Sequence, residues 1–338
     1  MGCIMSKKCV KFGILGCGMA AQLHAGALKN IPDAELAAVA DNKIENAEAF
    51  AAKYGASAAY GSFEALLESD VDAVCICTPS GYHARQAVQA LEAKKHVVLE
   101  KPMAFTVADA DKIIEAANKS DKLMTVILQN RFSEDVEQVR ELIKEGAFGK
   151  LAFCDLYMKY WRDEDYYTSN PWRGTLELDG GGALMNQGIH GVDLMYYLAG
   201  KSKVIASKVK TVLHDIEAED AAVAMLEFEN GALGVIEAST CACPGFERRL
   251  EIIGTKGSVI FKENRIEKLV LDGKTLEVKE PEIKSGANTP MAIGTYKHQL
   301  QLENFVATIN GEADLAVTPE DAKTAVEIVE NVYKLARN

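Results

Sequence analysis

The run Val10–Leu15 leads directly into Gly16-Cys17-Gly18-Met19-Ala20-Ala21, and no other stretch constrains the fold as tightly. Apolar residues followed by G-x-G-x-x-A read as a buried strand giving way to a helix. Gly16 allows the tight turn, Gly18 lets a phosphate approach the backbone, and small Ala21 permits close helix–strand packing. The N-terminus of such a helix is a natural seat for a pyrophosphate. Asp41 ends the next strand, 20 residues beyond Ala21. A carboxylate there accepts hydrogen bonds from ribose hydroxyls and repels a 2′-phosphate, which favours NAD over NADP. Lys43 tempers that preference, since it reaches a 2′-phosphate if the loop turns inward.

The pattern continues as alternating strands and helices, the mark of a parallel sheet with crossover helices. The strands read are Val10–Leu15, Leu36–Ala40, Ala73–Cys77, Val97–Leu99 and Thr125–Leu128. Between them lie helices at Ala20–Lys29, Ile44–Lys53, Ser62–Glu68, Tyr82–Lys94 and Val107–Asn118. This is an N-terminal doubly wound (Rossmann) domain over residues 1–130. Residues 131–338 form a second α/β domain, closely docked because no Pro/Gly/Ser linker intervenes. Its strands are Leu151–Tyr160, Val204–Val212, Ala221–Phe228, Leu233–Ser239, Arg249–Ile253, Ser258–Phe261 and Ile266–Leu271, with a helix at Ala183–Leu198. Short turns such as Glu229-Asn230-Gly231 predict a large open, mostly antiparallel sheet. Apolar residues on both faces of Ala221–Phe228 and Leu233–Ser239 imply cover on both sides, with helices enough for one. The other face is expected to meet a second subunit, in a homodimer or tetramer. A last helix over 318–336, opened by Thr318 and Pro319, is expected to pack back on the first domain.

At 338 residues the chain has length for about two domains. Its 37 basic and 49 acidic residues leave a net charge of −12, which argues against a nucleic-acid partner. Eight cysteines with no C-x-x-C spacing fit a reduced, cytoplasmic protein better than a disulfide framework or a metal finger. No run approaches the ~20 apolar residues of a membrane span. The opening Met1-Gly2-Cys3-Ile4-Met5-Ser6 matches the short myristoylation pattern, with Cys3 as a palmitate candidate, while Met5 would serve equally well as a start.

Ligands of doubly wound sheets sit at the carboxyl ends of the strands. Two strands here end in polar sequence: Cys77-Thr78-Pro79-Ser80-Gly81-Tyr82-His83 and Glu100-Lys101-Pro102. Pro102 forces Lys101 out of the helical region, aiming it at the nicotinamide position. In the second domain Gly180-Gly181-Gly182 precedes a helix carrying Asn186, His190 and Asp193. Their i, i+4 and i, i+3 spacing places all three on one face. An imidazole between polar neighbours is a proton acceptor near working pH. The glycines read as room for a ligand.

Taken together, G-x-G-x-x-A-x-x-H (Gly16 to His24), C-T-P-x-x-x-H (Cys77 to His83), E-K-P (Glu100 to Pro102) and G-G-x-L-x-x-x-x-x-H-x-x-D (Gly181 to Asp193) resemble the Gfo/Idh/MocA oxidoreductase family. The resemblance implies NAD(P)-dependent oxidation or reduction of sugars and polyols. It implies that Lys101 contacts the reacting hydroxyl and the nicotinamide ribose, with His190 as acid/base. The residues expected to face the cofactor are Gly16, Gly18, Met19, Ala20, Asp41, Thr78, Pro79, His83, Glu100, Lys101 and Gln129. Inositol-dehydrogenase-like members carry Asp where this chain has Asn186, and an amide cannot stabilise an imidazolium by charge. Lys101 therefore remains an alternative base. The N-Q-G-I-H variant, preceded by W-R-G-T, is similar to the branch acting on nucleotide-linked or acidic sugars.

The loop Tyr160–Arg173 holds both tryptophans, Trp161 and Trp172. Aromatic faces stack on sugar rings and arginine forks bind carboxylate or phosphate. Trp172, Arg162 and Arg173, with Asn186 and His190, are the substrate-binding candidates, and Arg131 is a further anion candidate. Core aromatics with arginines paired to Asp163, Glu164 and Asp165 are the competing structural explanation. The reaction expected is hydride transfer between a secondary hydroxyl of a sugar, in the 3-position of an acidic or nucleotide-linked one, and the nicotinamide. Alternatives are an inositol or free-sugar dehydrogenase, an NAD-dependent glycosidase passing through a 3-keto intermediate, and a cofactor-binding sensor without chemistry. The six histidines show no metal-ligand spacing.

Overall fold

The computed structural model describes residues 8–277 and 294–337, so the Met1–Ser6 lipidation pattern with Cys3 lies outside the described residues. The chain forms two compact units. In the first, β1 (Val10–Leu15), β2 (Ala34–Ala40), β3 (Ala58–Tyr60), β4 (Ala73–Ile76), β5 (His96–Leu99) and β6 (Met124–Val126) pair in parallel in the order β3-β2-β1-β4-β5-β6. The order reverses between β1 and β4, the switch point of a doubly wound sheet. Helices α1 (Met19–Leu28), α2 (Ile44–Tyr54), α3 (Phe63–Glu68), α4 (His83–Glu92) and α5 (Val107–Ser120) are the crossovers. A sheet covered on both faces needs continuously apolar strands. Accordingly Val10, Phe12, Ile14, Val74, Cys75 and Ile76 are fully buried.

The second unit holds α6 (Glu134–Lys144), β7 (Leu151–Lys159), α7 (Glu164–Thr168) and a π-helix, Ala183–Gly188, running into α8 (Ile189–Ala199). Then come β8 (Ser202–Lys210), β9 (Ala221–Phe228), β10 (Leu233–Ser239), β11 (Arg249–Gly254), β12 (Gly257–Lys262), β13 (Arg265–Leu271) and β14 (Lys274–Leu276). They form one sheet in the order β14-β13-β12-β11-β7-β10-β9-β8, antiparallel except where β10 runs parallel to β7. At the β9–β10 turn Gly231 takes φ +86°, and the Asn230 side chain accepts from the Ala232 N–H.

Two expectations about chain path need correction. Gly294–Asp321, read with the second domain, belongs to the first unit. There Leu302, Phe305 and Val306 of α9 (Tyr296–Ile309) fill the Rossmann core. Conversely, α10 (Pro319–Ala336) sends Ala325, Ile328, Val329 and Val332 into the core of the second unit, not the first. Its apolar stripe decides the matter. One face of the eight-stranded sheet carries that core. On the other face Phe153, Ile205, Val223, Met225 and Leu233 remain 46–53% exposed.

Candidate active site

At the β1–α1 turn Gly16 has φ +86°, and a Cβ there would lie 2.9 Å from the Cys77 carbonyl oxygen. Only glycine fits. Gly18 differs: its φ is −81° and an added Cβ meets nothing within 4 Å. The chain itself does not require glycine at 18. The open space lies over the N-terminus of α1, where a pyrophosphate needs it. Met19, 42% exposed, and half-buried Ala20 form the first turn. Asp41 Oδ2 accepts from the Cys17 N–H (3.0 Å), while Oδ1 accepts from the Lys43 N–H (3.0 Å) and from Asn46 Nδ2 (3.3 Å). A carboxylate offers about four lone-pair directions, so capacity for a ribose hydroxyl remains.

Thr78 donates its hydroxyl to Gln86 beside half-buried Pro79. His83, expected among the cofactor contacts, has another task. Its Nδ1 sits 2.7 Å from the Pro102 carbonyl and its Nε2 3.0 Å from the Thr78 carbonyl, with the ring 1% exposed. Both ring nitrogens face carbonyl oxygens, and the single N–H of a neutral imidazole donates to one of them, so His83 sits between the two strand-end loops. Burial, outweighing the pull of the two carbonyls, pushes its pKa down. Glu100 also turns inward: its carboxylate contacts His24 Nε2 at 2.9 Å and accepts from the Lys101 N–H at 3.2 Å. Lys101 is half-buried, followed by a cis peptide to Pro102 that the sequence reading did not anticipate. Gln129 is 4% exposed and its Oε1 has no hydrogen-bond partner. A buried orphan acceptor is costly, and a carboxamide N–H of a nicotinamide would satisfy it. Open space at Gly18 and an orphan acceptor at Gln129 both fit the dinucleotide.

In the second unit the glycine run is not room for a ligand. A Cβ would meet the Phe105 ring at 2.2 Å from Gly180, Tyr333 Oη at 2.1 Å from Gly181, and the Glu219 carbonyl at 2.1 Å from Gly182. Close packing of the chain on itself dictates all three. Glu219, which the sequence reading missed, anchors the helix start by accepting from the Gly182 N–H (3.1 Å), the Leu184 N–H (2.8 Å) and the Tyr333 hydroxyl (3.0 Å). Burial raises its pKa.

Asn186 and His190 follow on one continuous helix whose π-turn shows in the Gln187 N–H to Gly182 carbonyl bond of 3.3 Å. Asn186 is buried and His190 half-buried. The Asp193 carboxylate is held by two Arg131 nitrogens, Nε and NH2, at 2.6–3.2 Å. This withdraws Arg131, 3% exposed, as an anion site. Asn186 Nδ2 donates to Asp179, a buried residue just ahead of the glycines.

The aromatic loop divides its arginines. Arg162 is 4% exposed, donating to the Trp161 carbonyl (2.8 Å) and to Gln187 Oε1 (2.7 Å). Gln187 in turn donates to Asn186 Oδ1 (3.3 Å) and to the Tyr166 hydroxyl (2.8 Å). Arg173 and Trp172 are half-buried; the guanidinium lies 4.2 Å from the Tyr166 ring centre and 5.8 Å from that of Trp172. Among the described residues no three His, Cys, Asp or Glu side chains are placed to hold a metal ion. No helix among them is long and apolar enough to cross a membrane.

Residues 10–128 match the oxidoreductase-family, NAD-binding Rossmann-fold model of Gfo/Idh/MocA, and residues 136–260 match the C-terminal domain model of the same family. The chain is a Gfo/Idh/MocA oxidoreductase. Such enzymes act on CH–OH groups with a nicotinamide cofactor, and this one carries the family's NAD-binding domain. It is 29% identical to myo-inositol 2-dehydrogenase of Thermotoga maritima over 94% of this chain and 93% of that one. It is 32% identical to D-glucoside 3-dehydrogenase of Escherichia coli over 58% of this chain and 56% of the relative. Among solved structures, the WlbA dehydrogenase of Bordetella pertussis in complex with NADH and UDP-GlcNAcA is 30% identical, covers 97% of each chain and superimposes with a TM-score of 0.86.

Proposed function

We propose that this Gfo/Idh/MocA oxidoreductase oxidises a secondary hydroxyl, at the 3-position, of an acidic or nucleotide-linked sugar. The observation that carries the reading is the Arg162–Gln187–Asn186 chain of hydrogen bonds, which ties the aromatic and arginine-bearing loop to the helix of His190. The similarity to the WlbA dehydrogenase over 97% of the chain supports the same substrate class. NAD, when bound, supplies the hydride acceptor for the carbinol carbon. Gly16, Gly18, Met19 and Ala20 seat its pyrophosphate, Asp41 its ribose and Gln129 its carboxamide. Thr78, Pro79, His83 and Glu100 shape the loops around it. Lys101 holds the reacting hydroxyl oxygen, and His190 takes the hydroxyl proton. Trp172 offers a face for the sugar ring and Arg173 a fork for its anionic group.

The inositol relative favours a second reading, a free cyclitol as substrate. One preparation tests both. The co-purifying dinucleotide is identified, and NADH formation is followed with UDP-sugar acids, free aldoses and inositols. Turnover on inositols alone overturns the acidic-sugar reading. Lys101→Ala should lower turnover at least ~100-fold while NADH affinity changes less than about threefold. Near-normal turnover in that variant sinks the assignment of Lys101.

A second copy of the chain covers the exposed sheet face in this reading, giving a homodimer or a tetramer. All seven described cysteines are unbridged, which supports the reducing cytoplasm as the working compartment.

A further inference from the structure

We infer that Asp179 is a positioning residue for the acid/base histidine, acting on His190 through Asn186. The inference rests on the role proposed for His190. Asp179 is 1% exposed, and its two oxygens divide their work. Oδ2 accepts from the Gly174 N–H at 2.8 Å, and Oδ1 accepts from Asn186 Nδ2. The second bond fixes the amide: its nitrogen faces Asp179, and its oxygen faces the Gln187 Nε2 donor. His190 lies four residues on along the same helix. An amide carries no charge, but one polarised by a buried carboxylate transmits part of that charge, and low dielectric leaves it poorly screened.

Several ionisable groups stand on the elements around the pair. Tyr166, Tyr167 and Tyr333 sense Asp179 and are held as neutral phenols chiefly by burial. Arg162 and Arg173 lie against Tyr166, and Glu219 bonds Tyr333. Along α8, Asp193 is held by Arg131, Arg248 faces Glu263, and Tyr197 bonds Glu137 and Arg140. Asp179 is the carboxylate hydrogen-bonded to Asn186 itself.

The test reads the His190 imidazole directly, by NMR titration of ring-labelled histidine in the full chain saturated with NAD⁺, with His190→Gln to assign the resonance. Asp179→Asn should lower the His190 pKa by about one unit, since a nearby negative charge favours the imidazolium. The reciprocal pair Asp179→Asn with Asn186→Asp keeps an Asp–Asn hydrogen bond and moves the charge nearer, so the pKa should rise above the wild-type value. A change of less than about 0.2 unit in the single variant overturns the inference. Should only the reciprocal pair fold, an unshifted pKa there overturns it equally. Turnover of His190→Gln is scored separately: normal activity removes the acid/base role of His190, whatever the coupling to Asp179.

Discussion

Arg131 grips Asp193 through two nitrogens, Nε reaching Oδ1 at 3.2 Å and Oδ2 at 3.0 Å while NH2 reaches Oδ1 at 2.6 Å. The guanidinium also lies 4.5 Å from the Tyr197 ring centre. A buried pair like this contributes little over an apolar replacement, but losing one partner strands the other charge. Arg131→Ala and Asp193→Ala should each cost about 3–5 kcal/mol in urea unfolding. The double variant should cost less than the sum of the singles. Additive losses would show that the pair is not coupled.

Asp41 joins two properties in one carboxylate. It braces the glycine turn through the Cys17 N–H and, in the proposed function, accepts from a ribose hydroxyl. Asp41→Ala should weaken NAD binding about tenfold, a loss of ~1.4 kcal/mol. It should also narrow the gap between NAD and NADP, because the repulsion of a 2′-phosphate is gone. Dissociation constants for both dinucleotides, measured by fluorescence titration, check the point; an unchanged ratio would remove Asp41 from cofactor choice.

Glu100 and His24 set a pH window for stability. Burial pushes the Glu100 carboxyl up, but the His24 bond and charge, with His298 and Lys101, outweigh it and bring the pKa from 4.5 to about 2. Burial opposes charge on His24, yet the Cys77 and Cys75 groups against its ring carry it well above 6.5. The depressed carboxyl contributes stability above 4.5 that is lost as pH falls towards about 2. The raised imidazole contributes fully below 6.5, and that share is lost as pH rises through its folded value. Urea stability of the wild type should therefore fall on acidification below pH 4.5. Glu100→Gln should be less stable at pH 5–6, with a flatter acid limb. Parallel pH profiles for the two proteins would contradict the linkage.

Met225, 53% exposed, sits beside Val235 on the open sheet face. Met225→Asp should lower the mass found by light scattering at micromolar concentration, with secondary structure unchanged. A wild-type monomer would end the proposal that a second copy covers this face.

The Rossmann half was legible because fully buried parallel strands leave apolar runs that no helix period explains. The three-residue β3 was missed, since Ala58-Ala59-Tyr60 is too short for a period and too poor in β-branched residues. Helix α6 went unread although Val136 and Val139 are spaced for one buried stripe; its surrounding charges hid it. At the site, sequence spacing placed Asn186 and His190 on one helix but did not show the partners around them. Helical spacing set Asp193 near His190 but gave no sign of Arg131, 62 residues away, which binds the Asp193 carboxylate. Asp179 before three glycines reads as a turn residue, and its bond to Asn186 depends on how the glycines pack. The C-T-P-x-x-x-H motif marks His83 but not the backbone carbonyls its ring faces, which only the fold brings together.

The return of Gly294–Asp321 to the first unit bears on how the chain is made. Phe305 must reach a core that contains Ile127, so the Rossmann unit is not closed until α9 has been synthesised. At roughly 5–20 residues per second, the intervening stretch takes a ribosome about 10–40 s. During that interval the apolar surface awaiting α9 stays open to solvent and to chaperones. The first unit begins emerging early and finishes late.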